Sequence, residues 1–409
     1  MAKYYRAKKT KFSLSTGLLI AGLALSSATQ AKLLYSITDL GERDTGYQDI
    51  NASGQMTGWT ITAGNTRHAF VTNSSGEKID LGTLGGGESI GMAINNTGQV
   101  TGMHGDFRRA FVTSSSGEMA DVGDLGGNSS RITRAFGINA NGLVTGNSSS
   151  GDDIIIDPDL NTCNPRAGGC QPFTLPPPQH AFVTTSSGAL IDLGTLGGRE
   201  SYGVAINDAG RVAGNSEKST TDSTSHAFIT GNNLDLIDLG TLGGNRSEAH
   251  AINASGQVTG WAETAEGSVH AFITNSSGQM IDLLTLGDGS GINTVTLSNG
   301  IDVNAAGQVV GEYFDSAGHS RAFVTENGNI MDLNTLLYGD IAGWDLQTVY
   351  AINDAGQILG SGAKFFGGRN FLLTPISSVP LPAAIWLFGS GIIGLLGFKR
   401  IKPYPLRSC

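Results

Sequence analysis

The stretch Ala93-Ile94-Asn95-Asn96-Thr97-Gly98-Gln99-Val100-Thr101-Gly102, continued by Arg109-Ala110-Phe111-Val112-Thr113 and Met119-Ala120-Asp121-Val122, decides the fold, because each of its three pieces returns seven times in the same order. The asparagine of the first piece falls at Asn51, Asn95, Asn139, Asn207, Asn253, Asn304 and Asn353, at spacings of 44, 44, 68, 46, 51 and 49 residues. The second piece centres on Phe70, Phe111, Phe182, Phe228, Phe272, Phe323 and Phe371, and the third on Asp39, Asp80, Asp121, Asp192, Asp238, Asp282 and Asp332. Each unit reads as four short strands. Ile94 ends the first, and Asn95 to Gly98 is a turn whose fourth position needs the left-handed backbone that glycine adopts cheaply. Gln99 to Thr101 starts the second, Ala110 to Thr113 forms the third, and after a Ser-Ser-Ser-Gly turn Met119 to Val122 forms the fourth. Alternation in the fourth strand places Ile79 and Leu81, or Ile191 and Leu193, on one face and Asp80 or Asp192 on the other.

Four short antiparallel strands in about 45 residues, joined by glycine-rich turns, match a propeller blade better than one coil of a solenoid. The expected fold is therefore all-β, a seven-bladed β-propeller of four-stranded antiparallel blades over residues 35–374, with an insertion at 147–179. The chain enters at Tyr35 to Gly41, a lone fourth strand, and leaves after Asn370 to Thr374, a third strand without its partner. The two ends thus complete one blade and close the circle, which removes exposed strand edges. An open superhelical β-solenoid is the alternative. The repeat resembles the HAF-repeat family of bacterial extracellular proteins, a likeness that covers about residues 35 to 374 and brings no assigned catalytic residue.

Both termini read as export signals. Lys3, Arg6, Lys8, Lys9 and Lys11 precede an apolar stretch from Phe12 to about Ala28, the layout of a secretory signal peptide over residues 1–31, with Ala28 and Ala31 as cleavage positions. Val379 to Phe398 is apolar and ends in Lys399, Arg400 and Lys402, which reads as a transmembrane helix at 383–398 with its basic end in the cytoplasm. The segment 375–409, with Val379-Pro380-Leu381-Pro382 before the helix and Lys399-Arg400 after it, resembles a PEP-CTERM sorting signal of the VPLPA type. That resemblance implies processing by an exosortase at the inner membrane, near Val379 to Pro382, and handover to the cell envelope, surface or extracellular matrix. Leu381 stands where such signals usually carry an acid.

Composition fits an extracellular β-protein. Glycine numbers 60 among 409 residues and charged residues make up 15%, with no long charged helical segment. The formal charge is −10; the leader contributes +5 and the tail +4, so the remaining body stands near −19 and repels nucleic acid. Cys409 lies in the tail, leaving Cys163 and Cys170, a close pair that in an oxidising compartment reads as a disulfide clipping the insertion. The same insertion holds Asp157-x-Asp159-x-Asn161, the oxygen spacing that opens a calcium loop, but without the following glycine and the distal glutamate. A solvated, disulfide-clipped insertion fits it better, and no other cofactor is indicated.

Antiparallel order puts both tight turns of a blade on one face of the ring and the variable second-to-third loops on the other. Trp59, Trp261, Tyr313 and Phe314, at or near those loops, are the candidate ligand-binding residues, able to stack on sugar rings or to pack beneath loops. His68, His180, His226 and His270 share one repeat position with Arg109, Arg321 and Asn370. Residues so placed radiate around a ring and do not converge on a metal. The Asp-Leu-Gly acids read as turn hydrogen-bonders, and no nucleophile–base grouping or phosphate loop stands out. The expected function is a non-catalytic scaffold or binding protein of an exopolysaccharide or biofilm matrix. The alternatives are a lectin-like propeller, or a glycoside hydrolase or lyase, which needs two carboxylates about 5 to 10 Å apart in the central mouth.

Overall fold

A computed structural model describes residues 33–126, 132–151, 154–156, 173–221, 224–284, 297–326, 328–365 and 367–376. Residues 34–375 form one compact unit with seven four-stranded antiparallel sheets, six of them with their strands in chain order and the seventh completed by the first strand of the chain. Blade 1 comprises Thr45–Ile50, Met56–Ile61, Arg67–Thr72 and Lys78–Gly82, and blade 2 Ser89–Ile94, Val100–His104, Arg109–Thr113 and Met119–Asp121. Blades 3 to 6 repeat the pattern, with first strands at Thr133–Ile138, Ser201–Ile206, Gly243–Ile252 and Ser298–Val303. Blade 7 is built from Trp344–Ile352, Ile358–Lys364 and Gly367–Pro375, and its fourth strand is the N-terminal Tyr35–Glu42. The register runs from Tyr35 opposite Pro375 to Glu42 opposite Arg369, so the expected closure is present and the open solenoid is excluded.

Each motif has a packing reason. The phenylalanine of the second piece is fully buried in all seven blades. It lies opposite the last glycine of the first piece, as Phe111 does opposite Gly102. A Cβ on Gly102 would sit 1.9 Å from the Ile90 carbonyl oxygen and 3.0 Å from the Phe111 ring, so only glycine lets the strand pass. Phe111 fills a cluster with Ala69, Ile94 and Val100, drawn from blades 1 and 2 together, and the other clusters likewise join neighbours. No blade buries its own faces alone.

A serine that opens the first strand adds a polar clip between blades. Ser89 Oγ donates to the Gly82 carbonyl and accepts from the Ala69 amide of the preceding blade, at 2.6 and 2.8 Å. Ser201 and Ser247 make the same pair of bonds.

The insertion carries a two-stranded hairpin, Ile154–Ile156 against Phe173–Leu175. Cys163, Cys170, Asp157, Asp159 and Asn161 lie outside the described residues, as do the stretches expected to be a signal peptide and a sorting segment, the latter with Val379, Pro380, Leu381, Pro382, Lys399 and Arg400. Among the described residues the one helical element is a single 3-10 turn, Leu333–Thr335, and no helix is long and apolar enough to cross a membrane.

Candidate functional site: the axial channel and the loop face

The seven first strands surround an axial channel, because Asp49, Ala93, Gly137, Ala205, Ala251, Asp302 and Ala351, one from each, line a common space of about 210 Å³. A second space of about 200 Å³ is lined by the motif asparagines and their neighbours, among them Asn51, Asn95, Asn139 and Asn353. The asparagines explain why the motif repeats so strictly. Asn51 Oδ1 accepts from the Ser53 and Gln55 amides and so holds its own turn, while its Nδ2 donates to the Asn95 carbonyl of the next blade at 3.0 Å. Asn95 reaches Asn139, Asn139 reaches Asn207, Asn207 reaches Asn253, Asn253 reaches Asn304 and Asn304 reaches Asn353. Asn353 then donates to the Asn51 carbonyl at 2.9 Å, and the circle of side-chain bonds is complete.

Two channel positions break the repeat. Two residues before the motif asparagine stands Ala93, Gly137, Ala205, Ala251 or Ala351, but blades 1 and 6 have Asp49 and Asp302. Asp49 takes the Ile50 amide on Oδ1 and the Ile94 amide of blade 2 on Oδ2, at 2.7 and 2.8 Å. Asp302 takes the Val303 and Ile352 amides in the same way, at 2.8 and 2.7 Å. Each carboxylate therefore braces a joint between two blades. Burial, against the pull of the Ile94 and Ile50 amides and with the Asp302 charge adding to it, pushes Asp49 up to about 7. Burial likewise raises Asp302 to about 6. An acid pair thus does occupy the axis, which the sequence-level search for paired acids missed. The signal was the departure of two repeats from a small-residue position. His250 also lines the channel; its Nδ1 contacts the Gly300 carbonyl at 2.9 Å, and burial lowers its pKa.

On the outer half of the blades the motif histidines and acids pair with each other. His68 meets Asp80, His180 meets Asp192, His226 meets Asp238 and His270 meets Asp282, all at 2.8–2.9 Å, and Arg109 replaces histidine against Asp121 at 2.7 Å. The acid also accepts the amide two residues on, as Asp80 does from Gly82 and Asp192 from Gly194. In blade 7 Asp39 takes Lys364 and Arg369 instead, at 3.2 and 3.0 Å. Asn370, at the histidine position, donates to the Glu42 and Thr45 carbonyls and ties blade 7 to the chain entering blade 1. These residues radiate around the ring, and no group of three or more metal-ligating side chains forms among the described residues.

The four aromatic candidates sit in the second strands of three blades, Trp59 in blade 1, Trp261 in blade 5, and Tyr313 and Phe314 in blade 6. They do not form one cluster. Trp59 lies against Gly46, and the Arg67 guanidinium stands 5.1 Å from its ring centre and 5.9 Å from that of Phe107. Arg67, not the bare indole, is what this corner presents to solvent. Tyr313 is buried and its hydroxyl donates to Asp332 at 3.1 Å, whereas Phe314 is 40% exposed. Tyr338 and Phe365, 63% and 67% exposed, are the aromatics that the sequence reading passed over, because nothing in the repeat marks them.

No family model matches the sequence, and no curated protein matches it. Solved structures do share its shape. A puromycin hydrolase (S511A mutant, complexed with PGG) superposes with a TM-score of 0.51 at 9% identity, over 78% of this chain and 50% of the hydrolase. A streptogramin B lyase gives 0.48 at 12% identity over 84% of this chain and 98% of that one. The β-propeller domain of the Trilobed protease from Pyrococcus furiosus gives 0.47 at 10% identity, over 83% and 95%. At such identities the likeness speaks for the propeller fold alone, a fold that serves lyases and hydrolases as well as binding proteins.

Proposed function

We propose that this protein is an exported, non-catalytic propeller that presents a binding or scaffolding face outside the cell, in the exopolysaccharide or biofilm matrix, after exosortase processing of its C-terminal segment. The observation that carries this reading is where the polar repeat residues go. Asparagines, serines, histidines and acids are committed to turns, to blade joints and to one another, and each oxygen of Asp49 and Asp302 already accepts a backbone amide. Hydrolysis by an acid pair needs one carboxyl free to donate a proton and the other free to attack or to activate water. Both ends of the propeller also lie together, Tyr35 opposite Pro375. Mass spectrometry of the mature protein from its host tests the proposal. The expected species starts near Thr29 or Lys32 and ends near Val379 to Pro382; mature material that keeps the apolar tail refutes exosortase handling.

Lectin-like carbohydrate binding is the second reading, favoured by Phe314 exposed beside the blade 6 loop. Glycan-array binding that is lost in Phe314→Ala or Trp261→Ala supports it, and an array without a hit removes it.

A further inference from the structure

The repeat geometry marks three backbone amides as an anion site. In every blade the amide of the motif asparagine donates across to the second strand, as Asn139 does to Leu143, Asn207 to Arg211 and Asn253 to Gln257. Amides alternate in direction along a strand, so the amide of the residue just before each asparagine points the opposite way. Because the first strand is the innermost, that direction is the channel axis. Seven amides therefore face inward, those of Ile50, Ile94, Ile138, Ile206, Ile252, Val303 and Ile352. The bonds of Asp49 to Ile50 and Ile94, and of Asp302 to Val303 and Ile352, confirm the direction at four of them.

The other three belong to consecutive blades, 3, 4 and 5, and the residues placed like Asp49 are there Gly137, Ala205 and Ala251, whose side chains carry no acceptor. A Cβ on Gly137 would lie 3.2 Å from Ile206 N, so the blade 3 position aims at the next blade's amide as Asp49 aims at Ile94. We propose that the arc formed by the Ile138, Ile206 and Ile252 amides binds a small carboxylate, which bridges adjacent blades as the Asp49 and Asp302 side chains do.

The protein itself supplies the argument for the ligand class. At two of its joints the equivalent pair of amides is met by a carboxylate, with each oxygen taking one amide, so neighbouring inward amides suit an oxyanion. The spaces of about 200 and 210 Å³, both lined by Ile138 and Ile206, admit a small acid or the end of a chain and exclude a folded partner. Four carboxylates line the space of about 200 Å³ and their like charge opposes the ligand: Asp49 and Asp302, which brace blades 1–2 and 6–7, and Asp208 and Asp354, which accept the Ala140 and Ala305 amides. This site stands apart from the matrix reading and survives its failure.

All three amides are isoleucines, which makes the test direct. In full-length protein labelled with 15N-isoleucine, sodium acetate should shift the Ile138, Ile206 and Ile252 amides with a saturable curve in the millimolar range, while equimolar chloride leaves them in place. Ala205→Asp puts a carboxylate where blade 1 has Asp49, and it should weaken acetate binding at least about tenfold. If that variant fails to fold, Asp49→Ala, which installs the residue used by most blades, should add the Ile50 and Ile94 amides to the responding set. Absence of a saturable shift in the wild type, an undiminished response in folded Ala205→Asp, or silent Ile50 and Ile94 amides in Asp49→Ala would each overturn the proposal.

Discussion

The inner ring and the outer rim of this propeller are built from the same kinds of polar residue, but they hold different things together. At the axis each asparagine donates its Nδ2 to the neighbouring blade, Asn51 to Asn95 and onward to Asn353 and back, so each of these bonds crosses a joint. At the rim each histidine bonds to an acid of its own blade, as His226 does to Asp238, and no joint is crossed. The axis makes seven sheets one ring; at the rim the histidine–acid pairs of blades 1, 3, 4 and 5 keep the fourth strand on the third, while Arg321 and Asn370, at the same repeat position, reach the next blade. A fault at the axis should therefore spread around the ring, and a fault at the rim should stay in one blade.

The largest effect is expected where the two ends of the chain meet. Deletion of Tyr35–Glu42 leaves blade 7 without its fourth strand, removes the fully buried Tyr35 and opens an edge on Gly367–Pro375. Thermal unfolding followed by circular dichroism should lose its single cooperative transition; an unchanged transition would show that the axial bonds alone close the ring. Next in size is Asn353→Ala, which removes the donor to the Asn51 carbonyl and the acceptor for the Ala355 and Gln357 amides. A loss of about 2 kcal/mol is expected in denaturant melts, since buried backbone groups are left unpaired. The matched variant Asn207→Ala breaks a joint that the covalent chain also spans. Faster unfolding of Asn353→Ala than of Asn207→Ala is the expected sign that the non-covalent seam inside blade 7, Tyr35–Glu42 on Gly367–Pro375, opens first.

The two regions also differ in the sign of their pH dependence. Asp49 and Asp302 bind protons more tightly in the folded protein, about 7 and 6, than an ordinary carboxylate near pH 4. Below pH 4 their contribution is fully present, and it is lost as the pH rises through 6 and 7. At the rim, burial would raise Asp192 and Asp238, but the Gly194 and Gly240 amides with His180 and His226 outweigh it and both pKa values are lowered. Their contribution is present above pH 4 and is lost in acid. Stability should therefore decline between about pH 4 and 7, by an amount on the order of a few kcal/mol. Replacing both axial acids, Asp49→Ala with Asp302→Ala, should flatten that slope and leave the acid limb unchanged. A slope that survives the double substitution would place the linked groups elsewhere.

Blade count, strand order and closure were legible because the three motifs recur with glycine and asparagine at fixed offsets. The half-blade at each end, Tyr35 to Gly41 and Asn370 to Thr374, admitted one partner each. The turn role of the Asp-Leu-Gly acids was legible too, since Asp followed two residues later by Gly at Asp80 and Gly82 is a local pattern. Side-chain partners across blades were not legible. Nothing in the spacing of Ser89 from Ala69 says that they meet, because the distance is set by the tilt of one blade on the next. Asp49 and Asp302 were overlooked for a related reason: they matter by differing from the consensus, and the motif search rewarded agreement with it. Trp59 was noticed for its type, but its stacking partner Arg67 comes from the facing strand, and Arg67 in turn stands over Phe107 from the loop of the next blade.

The smallest effect belongs to the rim, and it discriminates between the two regions most cleanly. His226→Ala removes an exposed-edge pair in which Asp238 keeps Lys218 at 3.0 Å and the Gly240 amide at 2.8 Å. With its acid still partnered and about a third of it in water, the loss should be about 0.5–1 kcal/mol. Hydrogen exchange should quicken at Leu236–Asp238, the fourth strand of blade 4, and nowhere in blades 3 or 5. If exchange instead quickens around the ring, the rim pairs share the work of the axial asparagines and the division between the two regions does not hold.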